Sequence, residues 1–271
     1  MTAAAPAPAP PRLAAVTDCW TLTRRTLTHW AHQPARITLG LLFPIMIAVM
    51  FGYLFGGAML VPGGGDYREF LMPGMYAMTM AFGLETTFTG IATDAAKGIT
   101  DRFRSLPMAS SAVVTGRCAA DMLHTALGLV AMIACGLAIG WHWHHGAARA
   151  LAAVALLLLL RFALLWVGIY LGLSAAGPEG VVAVQVLVWP LGFLSNAFVA
   201  PATMPGWLGA IAAWNPLSAT VAAARELFGN PGWAEGTWPA RHALPLALAW
   251  PLVITAVFLP LSVRRYRRLG R

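Results

Sequence analysis

Residues 150–173 read ALAAVALLLLLRFALLWVGIYLGL, an apolar run interrupted by one charge, Arg161. About 20 consecutive apolar residues cross the roughly 30 Å hydrocarbon core of a bilayer. The run is long enough to span. Working outward in both directions, five further runs qualify or nearly qualify: Ile37–Phe55, Leu71–Ala92, Arg117–Ile139, Val181–Ala200 and Leu244–Val263. With Ala150–Leu173 they predict an all-α integral membrane protein of six transmembrane helices.

Composition agrees. Apolar residues make up 59% of the 271-residue chain and charged residues 10%. Soluble domains carry about a quarter charged residues, so too little polar surface exists here to cover a water-soluble globule, and lipid must replace water over much of the exterior. The net charge of +8 would suggest nucleic acid in a soluble protein. Here the arginines cluster at the ends of apolar runs, where they set topology beside anionic lipid, and no nucleic-acid partner is expected. Three cysteines, Cys19, Cys118 and Cys135, have no metal-site spacing and read as small packing residues.

Charge also orients the spans. Arg12, Arg24, Arg25 and Arg36 precede the first run, Lys97, Arg102, Arg104 and Arg117 lie between the second and third, and Arg264, Arg265, Arg267, Arg268 and Arg271 follow the last. Arg68, Arg149, Arg225 and Arg241 fall on the other side. The positive-inside rule therefore places both termini in the cytoplasm of a multi-pass cell-membrane protein.

Three domains are expected. Residues 1–12, rich in Ala and Pro, read as a disordered tail rather than a signal peptide. Residues 13–35 read as a cytoplasmic amphipathic interface helix: Leu13, Val16, Trp20, Leu27 and Trp30 recur at helical spacing with Arg24 and Arg25 between them. The alternative is a cytosolic helix packed on a partner. Residues 36–271 form the transmembrane domain. Between its last two spans, Trp207–Trp214 and Leu217–Leu227 are each too short to cross and are separated by Asn215-Pro216, which predicts a broken outer helical segment.

The most charged interior stretch, Asp94 to Pro107, reads DAAKGITDRFRSLP and falls on the cytoplasmic side. Gly98 can end the helix descending from the second span. Asp101 can charge the start of a short new helix, and Pro107 can end it. Such a helix would present Arg102, Phe103, Arg104 and Leu106 to the cytosol, an aromatic anchor among cations that suits docking to acidic groups. A solvated connecting loop fits the composition equally well.

This stretch resembles the region after the second span in type-2 ABC transporter permeases, above all the daunorubicin-resistance-type drug exporters. The likeness continues in order. Tyr67–Gly74 (YREFLMPG) resembles the entry to span two, and Gly116–Asp121 (GRCAAD) the entry to span three. Pro190–Phe198, Met204–Leu208 (MPGWL) and Asn215-Pro216 resemble the fifth span and outer segment. Together these matches cover nearly the whole chain from Ile37 onward. The resemblance implies a permease that works as a homodimer, with two separate ATP-binding-cassette ATPase subunits docked on the interface helix and on a short coupling helix. It assigns that coupling role to Asp94, Lys97, Gly98, Asp101, Arg102, Phe103, Arg104 and Pro107. It further implies efflux of a hydrophobic drug-like or lipid-like substrate between the two halves, as in multidrug and antibiotic resistance.

The residues exclude ATP hydrolysis by this chain. A phosphate loop needs Gly-x-x-x-x-Gly-Lys-Ser/Thr, and the only lysine, Lys97, stands between Ala96 and Gly98. The chain is thus expected to be no enzyme and to hold no cofactor, ATP and Mg being bound by the partner. A proton-coupled secondary drug transporter is the alternative; it would need several buried ionisable groups and usually repeated halves. A lipid-modifying enzyme would need a polar catalytic cluster at one bilayer face. Two charges lie within apolar runs, Glu85 and Arg161. Depths that agree to within roughly 5 Å on the second and fourth spans, both running from outside to inside, predict an ion pair between them, structural or functional. Trp141–His145 (WHWHH) occupies an outer turn. It suits an interfacial belt better than a metal site, because one turn fixes no ligand geometry.

Overall fold

The computed structural model describes residues 34–54, 56, 61, 64–96, 110–174, 178–232 and 237–268. The tail, the interface-helix residues Trp20, Arg24, Arg25 and Trp30, and the coupling residues Lys97, Gly98, Asp101, Arg102, Phe103, Arg104 and Pro107 lie outside the described residues.

The described chain is helical and contains no strand. Its elements are α1 (Pro34–Leu54), α2 (Tyr67–Ala96), α3 (Ser110–Ala138), α4 (Gly146–Ser174), α5 (Pro178–Phe193), a 3-10 turn (Pro201–Thr203), α6 (Gly206–Trp214), α7 (Pro216–Phe228), α8 (Trp238–Arg241) and α9 (Ala243–Arg268). Among the described residues, three segments are long and apolar enough to cross a membrane: Gly116–Ala138, Gly146–Ser174 and Ala243–Tyr266.

Helices α2 and α4 form the central pair, with α9 against the far side of α4. Small residues bring α2 and α4 together. A Cβ on Gly168 would fall 2.9 Å from the Leu84 carbonyl oxygen, and one on Gly172 would fall 2.7 Å from Ile91 Cβ. Two glycines four residues apart on one face let backbones approach where lipid supplies no hydrophobic drive between helices. Ser262 in α9 donates to the Trp166 carbonyl oxygen of α4 at 3.0 Å, a second tie suited to an apolar medium.

The first half of α2 is buried on every side, from Phe70 through Met78. Helices α1, α3, α4, α5 and α7 all touch it. A helix enclosed on all faces can be apolar all round. Met72, Met75, Met78 and Met80 fill the uneven gaps, a use that suits an unbranched, adaptable side chain.

The broken outer segment has the expected break at Asn215-Pro216, and the break has an added purpose. The Asn215 side chain accepts from Leu217 N at 2.9 Å, so it caps α7, with Pro216 in the first turn. Its Nδ2 donates to the Leu191 and Leu194 carbonyls at 2.8 and 2.7 Å, closing the C-terminus of α5. The fifth run is therefore not one helix through Ala200. It ends at Phe193, and the chain turns through Ser195–Phe198 beneath α7.

Arg225 fixes that turn. It is fully buried in α7. Its Nε donates to the Phe70 carbonyl at 2.9 Å, and its Nη2 donates to the carbonyls of Asn196 and Ala197 at 2.9 and 3.2 Å. The guanidinium lies 3.7 Å from the Phe70 ring centroid, so one side chain joins α2, the turn and α7. At the same end, the Arg68 fork grips the exposed Asp66 carboxylate at 2.7–3.1 Å, and that hydrogen bonding holds Asp66 below its usual carboxylate range.

The WHWHH turn is built differently from the surface belt that its composition suggests. Trp141 is fully buried. It donates from Nε1 to Asn230 Oδ1 at 2.9 Å and packs edge-on against Tyr76 and Phe228. His144 Nε2 lies 2.8 Å from Glu69 Oε1, and His145 Nδ1 lies 3.0 Å from the Glu226 carbonyl oxygen. Only Trp143, 40% exposed, fits the belt. The turn's contacts clasp the N-terminus of α2 to the C-terminus of α7.

Candidate functional site

On α2, Gly83, Thr87, Gly90 and Asp94 are spaced four, three and four apart. At 3.6 residues per turn this places them on one face over about 16 Å of helix. Two arginines from neighbouring helices lie across that stripe. Arg161 of α4 covers Gly83, where a Cβ would fall 2.5 Å from Nε and 2.8 Å from Cζ. Arg117 of α3 covers Gly90, where a Cβ would collide with its guanidinium. The glycines make room for the cations, while the threonine and aspartate bind them.

The bonds form one continuous ladder. Arg117 Nη1 pairs with Asp94 Oδ2 at 2.5 Å. Arg117 Nε also faces Asp121 Oδ1, one turn along α3, at 3.7 Å. Asp121 Oδ2 accepts from the Thr87 hydroxyl at 3.0 Å. Arg161 Nη2 donates to that same Thr87 oxygen at 2.7 Å, and its Nε donates to Thr125 Oγ1 at 3.0 Å. Thr125 in turn donates to the Asp121 carbonyl at 2.9 Å. Arg161 is 1% exposed and Asp121 8%, so the inner rungs are dry and the outer pair is half-buried. Charge-assisted bonds are strong in such surroundings and costly to leave half made.

Arg161 is thus not bonded to Glu85. Its direct partners are Thr87 and Thr125, and the carboxylate influencing it is that of Asp121. Depth had suggested Glu85, but depth does not select a face. Glu85 stands two residues, roughly 200°, around α2 from Thr87.

Of the residues that the resemblance assigns to coupling, Asp94 alone lies among the described residues. It sits in the last turn of α2, whose final residue is Ala96. The ladder therefore leads from the end of α2, next to residues 97–107, into the contact of α2, α3 and α4. Through it Asp94 contacts α3 at Arg117, and Thr87 contacts α4 at Arg161. Nothing in the sequence assigned Thr87 or Thr125. The available signal was the spacing of Gly83, Thr87, Gly90 and Asp94 on one helical face.

Gly83→Ala is expected to displace the Arg161 guanidinium, because the added methyl occupies its place. Overpacking of this kind costs about 1–3 kcal/mol. A lowered thermal midpoint in purified protein would show it, and the added loss should shrink when Arg161 is already Gln.

The profile of the ABC-2 type transporter family matches residues 17–228. The chain belongs to this family. It is 34% identical to the daunorubicin resistance ABC transporter permease protein DrrB1 of Streptomyces coeruleorubidus, over 95% of this chain and 89% of that one. It is 25% identical to the probable doxorubicin resistance ABC transporter permease protein DrrC of Mycobacterium tuberculosis, over 90% and 87%. To the putative transport permease ycf38 of Porphyra purpurea it is also 25% identical, over 78% and 74%. Family membership makes this chain a multi-pass ABC transporter permease and displaces the proton-coupled carrier. The ladder of α2, α3 and α4 lies wholly inside the matched region.

Proposed function

We infer that this ABC-2 permease is the membrane half of an ATP-driven drug or lipid exporter, working as a homodimer of six-span subunits on two ATPase subunits that bind ATP and Mg. The spans are α1, the interior of α2, α3, α4, the α5 region and α9, with both termini in the cytoplasm. Coupling runs through residues 94–107 and the 13–35 interface helix. The observation that carries this reading is the ladder from Asp94 through Arg117 and Asp121 to Thr87 and Arg161. Alternating access needs the segment gripped by the ATPase to move spans rather than flex alone. A chain of ion pairs and charge-assisted bonds, half-buried at Asp94 and dry at its inner end, would convert motion at Asp94 into motion of three helices. ATP does work here only by binding one arrangement better than the other.

Relatives that confer daunorubicin or doxorubicin resistance support a hydrophobic, drug-like cargo. Exposed apolar side chains along α1, α3 and α9, such as Met46, Leu127 and Val253, suit lipid or a second copy.

In complex co-purified with its ATPase and reconstituted in vesicles, Phe103→Ala with Arg104→Ala is expected to leave ATP hydrolysis measurable and to lower doxorubicin transport per ATP at least about tenfold, the worth of one lost interfacial anchor of about 1.4 kcal/mol. Unaltered transport per ATP would remove the docking assignment.

A further inference from the structure

Helix α9 ends in SVRRYRR, residues 262–268, and contains no acidic residue. The inward side of this end is held. Ser262 is tied to the Trp166 carbonyl, and Arg265 Nε donates to the Leu173 carbonyl at 3.4 Å. Tyr266 is buried in a cluster with Cys118, Leu165, Trp166, Ile169 and Leu173. The last turn of α9 is therefore packed against α4.

The other side is open. Val253, Val257, Pro260, Arg264 and Arg268 are spaced four, three, four and four apart, so they share one face, and all five are exposed. Apolar side chains such as Val253 and Val257 meet lipid in a bilayer, and the two arginines continue their stripe. Among the described residues, no carboxylate pairs with Arg264 or Arg268. Like charges four residues apart repel, and the packed turn keeps this pair together.

Depth selects what can neutralise them. The apolar span of α9 runs from Ala243 to Tyr266. At 1.5 Å per residue, Arg264 lies about 14 Å from its midpoint and Arg268 about 20 Å. Half the hydrocarbon core is about 15 Å, and the headgroup layer reaches to about 20–22 Å. Every Cα–Cβ bond of a helix tilts toward its N-terminus, which here is back toward the bilayer. Both side chains therefore start out aimed at the phosphate layer, and a guanidinium fork matches phosphate oxygens.

We propose that Arg264 and Arg268 form a binding site for one anionic phospholipid headgroup, its phosphate held between two side chains whose Cβ atoms are about 6 Å apart. The site rests on the placement of α9 across the bilayer and not on ATP drive or cargo. A lipid fits better than an acidic protein surface, because the acyl chains of the same molecule meet Val253 and Val257 on the same face. A bound headgroup fixes the depth of α9 and, through Ser262, Arg265 and Tyr266, the adjoining end of α4. Cys118 of that cluster follows Arg117 of the ladder in sequence, so the lipid steadies the helices that the ladder joins.

The test uses the full-length permease in nanodiscs of equal phosphatidylglycerol and phosphatidylcholine, with lipid retention read by native mass spectrometry. Wild type should retain phosphatidylglycerol. Arg264→Gln with Arg268→Gln should lower that retention about thirtyfold, the worth of two arginines near an anionic surface, with the thermal midpoint in pure phosphatidylcholine unchanged. Arg264→Lys with Arg268→Lys should keep most of it. Arg149→Gln removes an exposed arginine at the other end of α4 and should leave it unchanged. Equal retention by wild type and the double Gln variant, or an equal fall in Arg149→Gln, overturns the proposal. So does loss of the co-purified ATPase from the double Gln variant without any lipid effect, which would give the arginines to an acidic protein surface. The retention measurement involves neither ATP nor cargo, so its failure leaves the exporter reading standing.

Discussion

Arg225→Ala is expected to leave little folded permease in the membrane. The substitution strips the hydrogen-bond donor from three carbonyl oxygens, those of Phe70, Asn196 and Ala197. Arg225 itself is fully buried, so water does not take over. Each orphaned acceptor costs about 1–3 kcal/mol, and the vacated volume adds a cavity term. The Phe70 carbonyl keeps its helical bond inside α2, so the two turn carbonyls, those of Asn196 and Ala197, account for about 2–6 kcal/mol before the cavity term, against a whole stability of about 5–15 kcal/mol for a typical domain. The loss also falls at a junction of three segments, because Arg225 joins α2, the 195–198 turn and α7. Arg225→Lys should recover only part. An ammonium on a flexible stem cannot reproduce a planar fork that reaches carbonyls on two sides and stacks on Phe70. The yield of monodisperse protein and its thermal midpoint after solubilisation measure both variants. A wild-type midpoint for Arg225→Ala would show that the guanidinium holds nothing.

Asp121→Ala carries the second large effect. Asp121 is the anion between two cations, facing Arg117 Nε at 3.7 Å and Thr87 Oγ1, itself bound to Arg161, at 3.0 Å. Removing it leaves Arg161 buried with only hydroxyl partners. Breaking a buried charge arrangement by deleting one member costs about 3–5 kcal/mol. Asp121→Asn separates the contributions, since its amide oxygen still accepts from Thr87 while the charge is gone. Adding Arg161→Leu to Asp121→Ala removes the stranded cation and should restore part of the loss. The double-mutant cycle is expected to show coupling of about 1–3 kcal/mol. Strict additivity would mean that the two residues do not share a network. Transport by any Asp121 variant that still folds reports separately on the ladder as a mechanical link.

Much of this protein is legible in one dimension because bilayer physics is local. A run such as 150–173 has to be a helix, since no other backbone satisfies its own hydrogen bonds in hydrocarbon. Asn215-Pro216 has to interrupt one, because proline removes a donor and asparagine caps. Family membership followed from short motifs in order, and Asp121 was already inside one of them. The partners of a charge were not legible. Periodicity places Arg161 in the apolar region but cannot choose between Glu85 and Thr87, which lie at similar depth on opposite faces of α2. Nor could it show that Arg225, counted among the outer topology charges, is sealed in the core, or that Trp141 is buried while Trp143 is exposed. Residues far apart in the chain decide those outcomes, and they meet only when Gly168 and Gly172 let α2 and α4 close. The sequence by itself therefore determined the solvent, the all-helical class and the family. Only the tertiary structure decided which buried charges are compensated by which neighbours, because in a low dielectric that depends on side-chain direction over a few ångströms rather than on position along the chain.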